Sequence, residues 1–289
     1  MHTNYLVDEF LLFLIYSFIG WVCEVICCSI PAKKFVNRGF LVGPYCPIYG
    51  FGALAVINIL MPFSDNPVIV YFFAVIITSV LEYATGYLLE RVYHLKWWDY
   101  SNYKWNIHGR VVLHNSIIFG VLSVLAIYHL NPVLIGMVNK FSLSMRTTVS
   151  LMLLFLFLID NIISTLNALK LKNNLSRLHL ISDEIKQKVS EKLFIKSQSI
   201  PPEDERSKIR VLSHKIDELN FKFNDISKQN KEFVKRVFAA FPNMSSKLHK
   251  ETLSNLKALN KMNIKKEKQK LKHRGKNPMC FSLRYSTSI

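Results

Sequence analysis

The side chains best placed to do chemistry in this sequence are polar groups set inside or between long apolar runs. Residues 91–110, RVYHLKWWDYSNYKWNIHGR, bring Trp98, Asp99, Asn106 and Arg110 into one short connection, together with three of the chain's four tryptophans. Rings with one wet edge suit the lipid–water boundary, so anchoring and helix capping account for the tryptophans and tyrosines. They account less well for an acid, an amide and a base side by side, which point to a polar binding or proton-handling site. Glu24 and Glu82 each stand in an apolar background. A carboxylate inside a membrane helix costs a few kcal/mol and faces a bundle interior or a wet cavity. For Glu24 a second reading stays open, a headgroup-level pair with Lys33 or Lys34. For Glu82, the most deeply set acid, the second reading is a structural hydrogen bond. Asp160, Ser164 and Asn167 fall on one helical face, and a polar stripe of that kind turns toward other helices.

Positioning these groups requires helices that cross a membrane, each about 20 apolar residues long. Five runs qualify, near 9–31, 44–62, 68–90, 111–130 and 149–168, so the expected fold class is all-α, a polytopic membrane helix bundle. The first run is too long for the core of a signal peptide and has no basic segment before it, so it is expected to stay as a span. The stretch after it, AKKFVNRGFLVGPYCPIYG, carries Asn37 and Arg38 and is interrupted by Gly39, Gly43, Pro44 and Pro47. These residues impose turns and remove donors, so the second span is expected to begin late or broken. Residues 46–50 then line a cavity or form a Pro-initiated helix start. Residues 133–141 read as a connection lying in the interface.

Charge divides the chain. Of 37 Lys/Arg, nine lie in residues 1–168, against eight of the 20 Asp/Glu; the remainder is strongly basic. The domain reading is therefore a transmembrane domain over 1–170, a cytoplasmic helical coiled-coil region over 171–242, and a basic, partly disordered tail over 243–289. Basic residues concentrate in the first and third connections and in the tail, which by the positive-inside rule puts the N-terminus outside and the tail in the cytoplasm. In the tail, Ile209, Leu212, Ile216, Leu219, Phe223, Ile226, Asn230, Phe233 and Val237 alternate in steps of three and four, a heptad seam with Asn230 as a register-setting polar residue. Pro201-Pro202 opens that helix and Pro242 closes it. The Lys-rich end suits anionic lipid headgroups, and no nucleic-acid reading module accompanies it. The five cysteines have no metal spacing, and no cofactor or metal is expected.

The segments GWVCEV (20–25), NRGFLVGPYCPIYGFGAL (37–54), LEYATGYLLERVYHLKWWDYSNYKWNIHGRVVL (81–113) and VFAAFPNM (237–244) together resemble the bacterial ABC-transporter permease family of type IV, CmpB-like. The resemblance covers about residues 5–170 and the AFPNM element. It implies a bacterial inner-membrane protein with a transport role, and its matching polar positions here are Glu24, Asn37, Arg38, Glu82, Trp98, Asp99, Asn106 and Arg110. Phe238 stands where a polar residue would be expected ahead of AFPNM, and the chain beyond Met244 lies outside the match. No G-x-x-x-x-G-K-[ST] phosphate loop occurs, so ATP hydrolysis requires a separate ATP-binding subunit. Five spans are few to enclose a path, so a homodimer through the heptad helix is expected. Three functions compete: a transport subunit with a polar cytoplasm-facing cavity; a membrane enzyme acting on lipid headgroups, with Asp99 or Glu24 as acid/base, Arg38 and Arg110 as a phosphate clamp and His114 as a possible base; and a non-catalytic anchor or sensor.

Overall fold

The computed structural model describes residues 2–197 and 203–274. Within them the regular secondary structure is helical except for one two-stranded hairpin, an all-α bundle. The helices are α1 (His2–Ala32), α2 (Pro47–Leu60), α3 (Pro67–Tyr93), α4 (Leu113–Leu125), α5 (Asn131–Val138), α6 (Leu143–Lys196), α7 (Glu203–Lys228), α8 (Lys231–Ala240) and α9 (Lys250–Arg274). The hairpin pairs β1 (Asn106–Ile107) with β2 (Val111–Val112), antiparallel. The chain divides into two compact units. One is residues 2–177 with 228–248; the other is 178–227 with the chain from 249 onward.

Among the described residues, four helices are long and apolar enough to cross a membrane: Tyr5–Ala32, Pro67–Tyr93, Leu113–Val138 and Leu143–Lys196. The second expected span is shorter. Its helix runs only from Pro47 to Leu60, with a 3-10 turn over Met61–Phe63, because Gly39 (φ +110°), Gly43, Pro44 and Pro47 keep the preceding segment out of the helical region. Those 17 residues reach about 25 Å, short of the ~30 Å hydrocarbon layer. The helix starts halfway along α1, where the Cys46 amide donates to the Ser17 carbonyl (2.9 Å), and runs antiparallel to it until Asn58 donates to Glu9 (3.1 Å). Gly50 makes this approach possible, since a Cβ there would collide with Ser17 and with the Phe13 carbonyl oxygen. The irregular segment 33–46 covers the other half of the depth.

The fourth span is longer than the sequence suggests. Residues 131–138 extend it through a π-turn at Ala126–Leu130, which absorbs the amide that Pro132 lacks. Asn131, fully buried, accepts a hydrogen bond from Tyr16 (3.3 Å). The apolar core of this end joins α1, α2, α3, the π-turn and α5 through Leu12, Tyr16, Val56, Leu60, Val70, Ile127 and Leu134. Outward faces are apolar too: Phe72, Ile76 and Val80 on α3, and Phe155, Ile159 and Ile162 on α6, are exposed. A helix that is apolar both inward and outward belongs in lipid. The protein is a membrane protein.

The tail departs from one long seam. Helix α7 ends at Lys228, Asn230 takes a left-handed conformation (φ 57°), and α8 begins afresh. Asn230 spends its amide on the Asn167 carbonyl (3.1 Å), and Phe233, Val234, Val237 and Phe238 are buried in the first unit. In the second unit Leu212 and Leu219 are buried within the chain itself, and Lys186 pairs with Glu251 at 2.7 Å. Helix α9 extends through residues 262–274, where the sequence reads as disordered. The Pro201-Pro202 start and Cys280 lie outside the described residues.

Candidate functional site

At the end of the first unit where α1 and α3 finish, three segments meet: 33–46, the hairpin connection 94–112, and 228–248. Trp97, 2 % exposed, packs against Phe40 (ring centroids 4.9 Å apart), Tyr93 (6.0 Å) and Phe241 (5.2 Å), each nearly edge-on. These three contacts join all three segments. Edge-to-face pairs of this kind each add about 0.5–1.5 kcal/mol beyond burial.

The segment 33–46 lies outside regular secondary structure, and two charged side chains answer for five of its backbone groups. Asp160 on α6 accepts from the amides of Val42 (3.0 Å) and Gly43 (2.7 Å), from the Tyr45 hydroxyl (2.7 Å) and from Ser164 (2.9 Å). Arg236 on α8 donates to the carbonyls of Gly39 (3.1 Å), Phe40 (2.9 Å) and Leu41 (2.9 Å). Burial lowers the pKa of Arg236, and Asp160 opposes that shift. Asn37 accepts from the Trp21 indole (2.9 Å) and donates to Val42 (3.3 Å). One acid and one base, 76 positions apart in sequence, thus hold opposite polarities of one loop.

Inside that frame lies a charged pair. Glu24 accepts from Arg38 Nε at 2.9 Å and from the Tyr49 hydroxyl at 2.7 Å, so its partner is Arg38 rather than Lys33 or Lys34. The Arg38 guanidinium also lies 4.9 Å from the Phe241 ring centre. Burial works against its charge, but Glu24 outweighs that and raises its pKa. Glu82, 6 % exposed on α3, is within electrostatic reach of Glu24 and has Asn115 as its polar neighbour. Asn115 donates to the Tyr100 hydroxyl (3.0 Å), and Tyr100 in turn senses Glu82, Glu24 and Arg38. Burial pushes the Tyr100 phenol up to about 12, with both carboxylates adding to the shift. Glu24, Arg38, Glu82, Tyr100 and Asn115 therefore form one polar centre. Residues 46–50 contribute as a helix start, with Pro47 in the first turn of α2, Tyr49 bonded to Glu24 and buried Cys46 within electrostatic reach of Glu24 and Arg38.

The hairpin polar residues are spent on holding the hairpin. Asp99 accepts from the backbone and hydroxyl of Ser101, and from Ser245 (2.6 Å), with Lys96 3.7 Å away. Burial would raise its pKa, but the Ser101 and Ser245 hydrogen bonds and Lys96 outweigh it and hold the carboxyl below its ordinary value. Asn106 accepts from the Gly109 amide (2.8 Å) and donates to Tyr103 (2.7 Å). Gly109 has φ +71°, and a Cβ there would strike Asp99 and Ser101. Trp98 donates to the Arg110 carbonyl (2.8 Å). Arg110 pairs with Glu90 (2.6 Å), donates to Tyr83 (3.3 Å) and lies over the Tyr83 and Tyr87 rings. His114 is exposed.

Sequence reasoning missed Arg236 and Ser245. Ser245 and Lys96 exchange backbone hydrogen bonds (2.9 and 3.0 Å), so the segment after α8 adds a bridge beside the hairpin connection. A signal for Arg236 was present: Phe233, Val234, Val237 and Phe238 form a one-sided apolar face with Arg236 at its edge, ahead of Pro242.

Among the described residues, pockets elsewhere in the first unit include one of about 700 Å³ lined by Lys170, Asn173, Arg177 and Asn230, one of about 450 Å³ between Leu12, Leu54, Ile57 and Asn131, and one of about 300 Å³ against Phe10, Phe51 and Phe157; none of these touches the polar centre. No group of three or more metal-ligating side chains occurs among the described residues.

A family model described as "Putative ABC-transporter type IV" matches residues 11–165, more than half of the chain, and the chain belongs to that family. No curated protein and no solved structure matches it.

Proposed function

We propose that this member of the type IV ABC-transporter family is the membrane-embedded subunit of a transport system, driven by a separate ATP-binding subunit. The observation that carries the reading is the polar centre of Glu24, Arg38, Glu82, Tyr100 and Asn115, built into spans whose outward faces are apolar. Charged groups inside a membrane are costly and are kept where a solute or ion is handled.

In this reading the protein is a multi-pass protein of the bacterial inner membrane. The basic connections 33–46 and 91–110 and the tail face the cytoplasm, the N-terminus faces outward, and the centre is approached from the cytoplasm. The irregular segment 33–46 followed by α2 completes a crossing, so the alternation of sides is kept even though α2 is short. Two copies form the working unit, since five passes are few to enclose a path. The Lys-rich tail lies against anionic headgroups. The ATP-binding subunit docks where 33–46, 94–112 and 228–248 are joined, so that movement there reaches Arg38 directly.

A headgroup-processing enzyme is the weaker alternative. It would use Asp99 or Glu24 as acid/base and Arg38 and Arg110 as a phosphate clamp, yet both oxygens of each acid are bonded, Arg38 is paired with Glu24 and Arg110 with Glu90. The test is purification from the native membrane in mild detergent, with mass spectrometry of proteins and lipids. An ATP-binding subunit at a fixed ratio to this chain is expected. A bound lipid without any such subunit, lost on Arg38→Ala, would reverse the order of the two readings.

A further inference from the structure

The transport reading leaves open what the centre binds, and the donors around Glu82 narrow the answer; the inference rests on that reading. Arg38 is engaged by one Glu24 oxygen and Tyr49 by the other. Asn115 turns its amide nitrogen toward the Tyr100 hydroxyl and toward Glu82, and leaves Oε2 unmatched. Glu82 is 94 % buried, and its Oε2 has no hydrogen-bond partner among the described residues. The Glu24–Arg38 pair is neutral as a unit, so Glu82 adds one uncompensated negative charge to the centre whenever it is ionised. An unpaired buried carboxylate costs several kcal/mol and is relieved by a proton or by another positive charge in its place. Anions are repelled by the same arrangement. A divalent ion would require a second free carboxylate, whereas Tyr100 brings only a neutral oxygen.

We propose that Glu82 Oε2 is the docking atom for a singly charged cation, a monovalent metal ion or a protonated amine, which there takes the place of a proton. Glu24 and Arg38 fix the charge around it, and the Tyr100 hydroxyl adds a neutral oxygen.

The test uses the full-length protein in detergent and dicyclohexylcarbodiimide, an apolar reagent that reaches carboxyls in membrane interiors. The protonated carboxyl adds across a C=N bond of the reagent and the adduct rearranges to a stable N-acylurea, with no atom lost, so mass spectrometry locates it. Labelling at Glu82 is expected, falling as the pH is raised and absent in Glu82→Gln. At fixed pH and ionic strength, with tetramethylammonium as the balancing ion, at least one of sodium, potassium and trimethylammonium is expected to slow it severalfold. Protection by sodium or potassium assigns a metal ion, and protection by trimethylammonium alone assigns an amine. Labelling that none of the three slows means a proton only and overturns the proposal, as does labelling of other carboxyls with Glu82 untouched. Co-purification of an ATP-binding subunit is read independently, so a failure here is separable from a failure of the transport reading.

Discussion

At the scale of single residues, charge is used in two ways that the sequence does not distinguish. Glu24, Glu82, Asp99 and Arg110 look alike as polar residues beside apolar runs. The structure spends Asp99 and Arg110 on scaffold bonds and leaves Glu82 with an unmatched oxygen. For the Glu24–Arg38 pair, Arg38→Ala should destabilise the protein by about 2 kcal/mol, since it strands a half-buried charged acceptor. Adding Glu24→Gln should recover part of that loss, as a double-mutant cycle in thermal unfolding would register. Asp99 carries a pH signature. Its folded pKa lies below the unfolded value, so its contribution is complete at neutral pH and is lost as pH falls from about 4 downward through the folded pKa. Asp99→Asn should remove that part of the acid sensitivity and lower stability at pH 7. An unchanged acid profile would mean that the Ser101 and Ser245 bonds contribute nothing net.

At the scale of elements, the apolar runs, the helical class and the delayed start of the second span were legible, because hydropathy and Pro/Gly placement act locally. What was not legible was the packing of α8. The three- and four-residue spacing from Ile209 to Val237 is the same whether the apolar face meets a partner helix or the membrane unit, and only the left-handed turn at Asn230 separates the two uses. Likewise, Asp160 could be placed on a polar face, but nothing local says that this face meets the amides of residues 42 and 43. Arg236→Ala should leave three carbonyls without their donor, at a cost of about 1–3 kcal/mol. Hydrogen exchange should then rise in residues 36–46. Arg236→Lys should restore only part of the protection, because an ammonium lacks the planar fork that spans successive carbonyls. Exchange that rises in α7 and α9 but not in 36–46 would contradict the bracing role of Arg236.

At the scale of the whole molecule, the family match covers the membrane bundle but stops at residue 165, before Arg236 and Ser245. Those two residues tie the later chain to the bundle through 33–46 and 94–112. Leu212 and Leu219 are buried within the chain, so the tail's apolar seam is used internally. Ile216→Lys should therefore leave the oligomeric mass in light scattering unchanged while loosening the helices of the second unit. A drop to the monomer mass would restore the heptad helix as the dimer contact. In the proposed transport reading the ATP-binding subunit acts on the polar centre through the joined segments. The most direct measurement is hydrogen exchange of the purified complex with and without a non-hydrolysable ATP analogue. The account predicts altered protection in both 33–46 and 94–112 when nucleotide binds. Identical exchange in those two segments, with nucleotide bound to the partner, would contradict it.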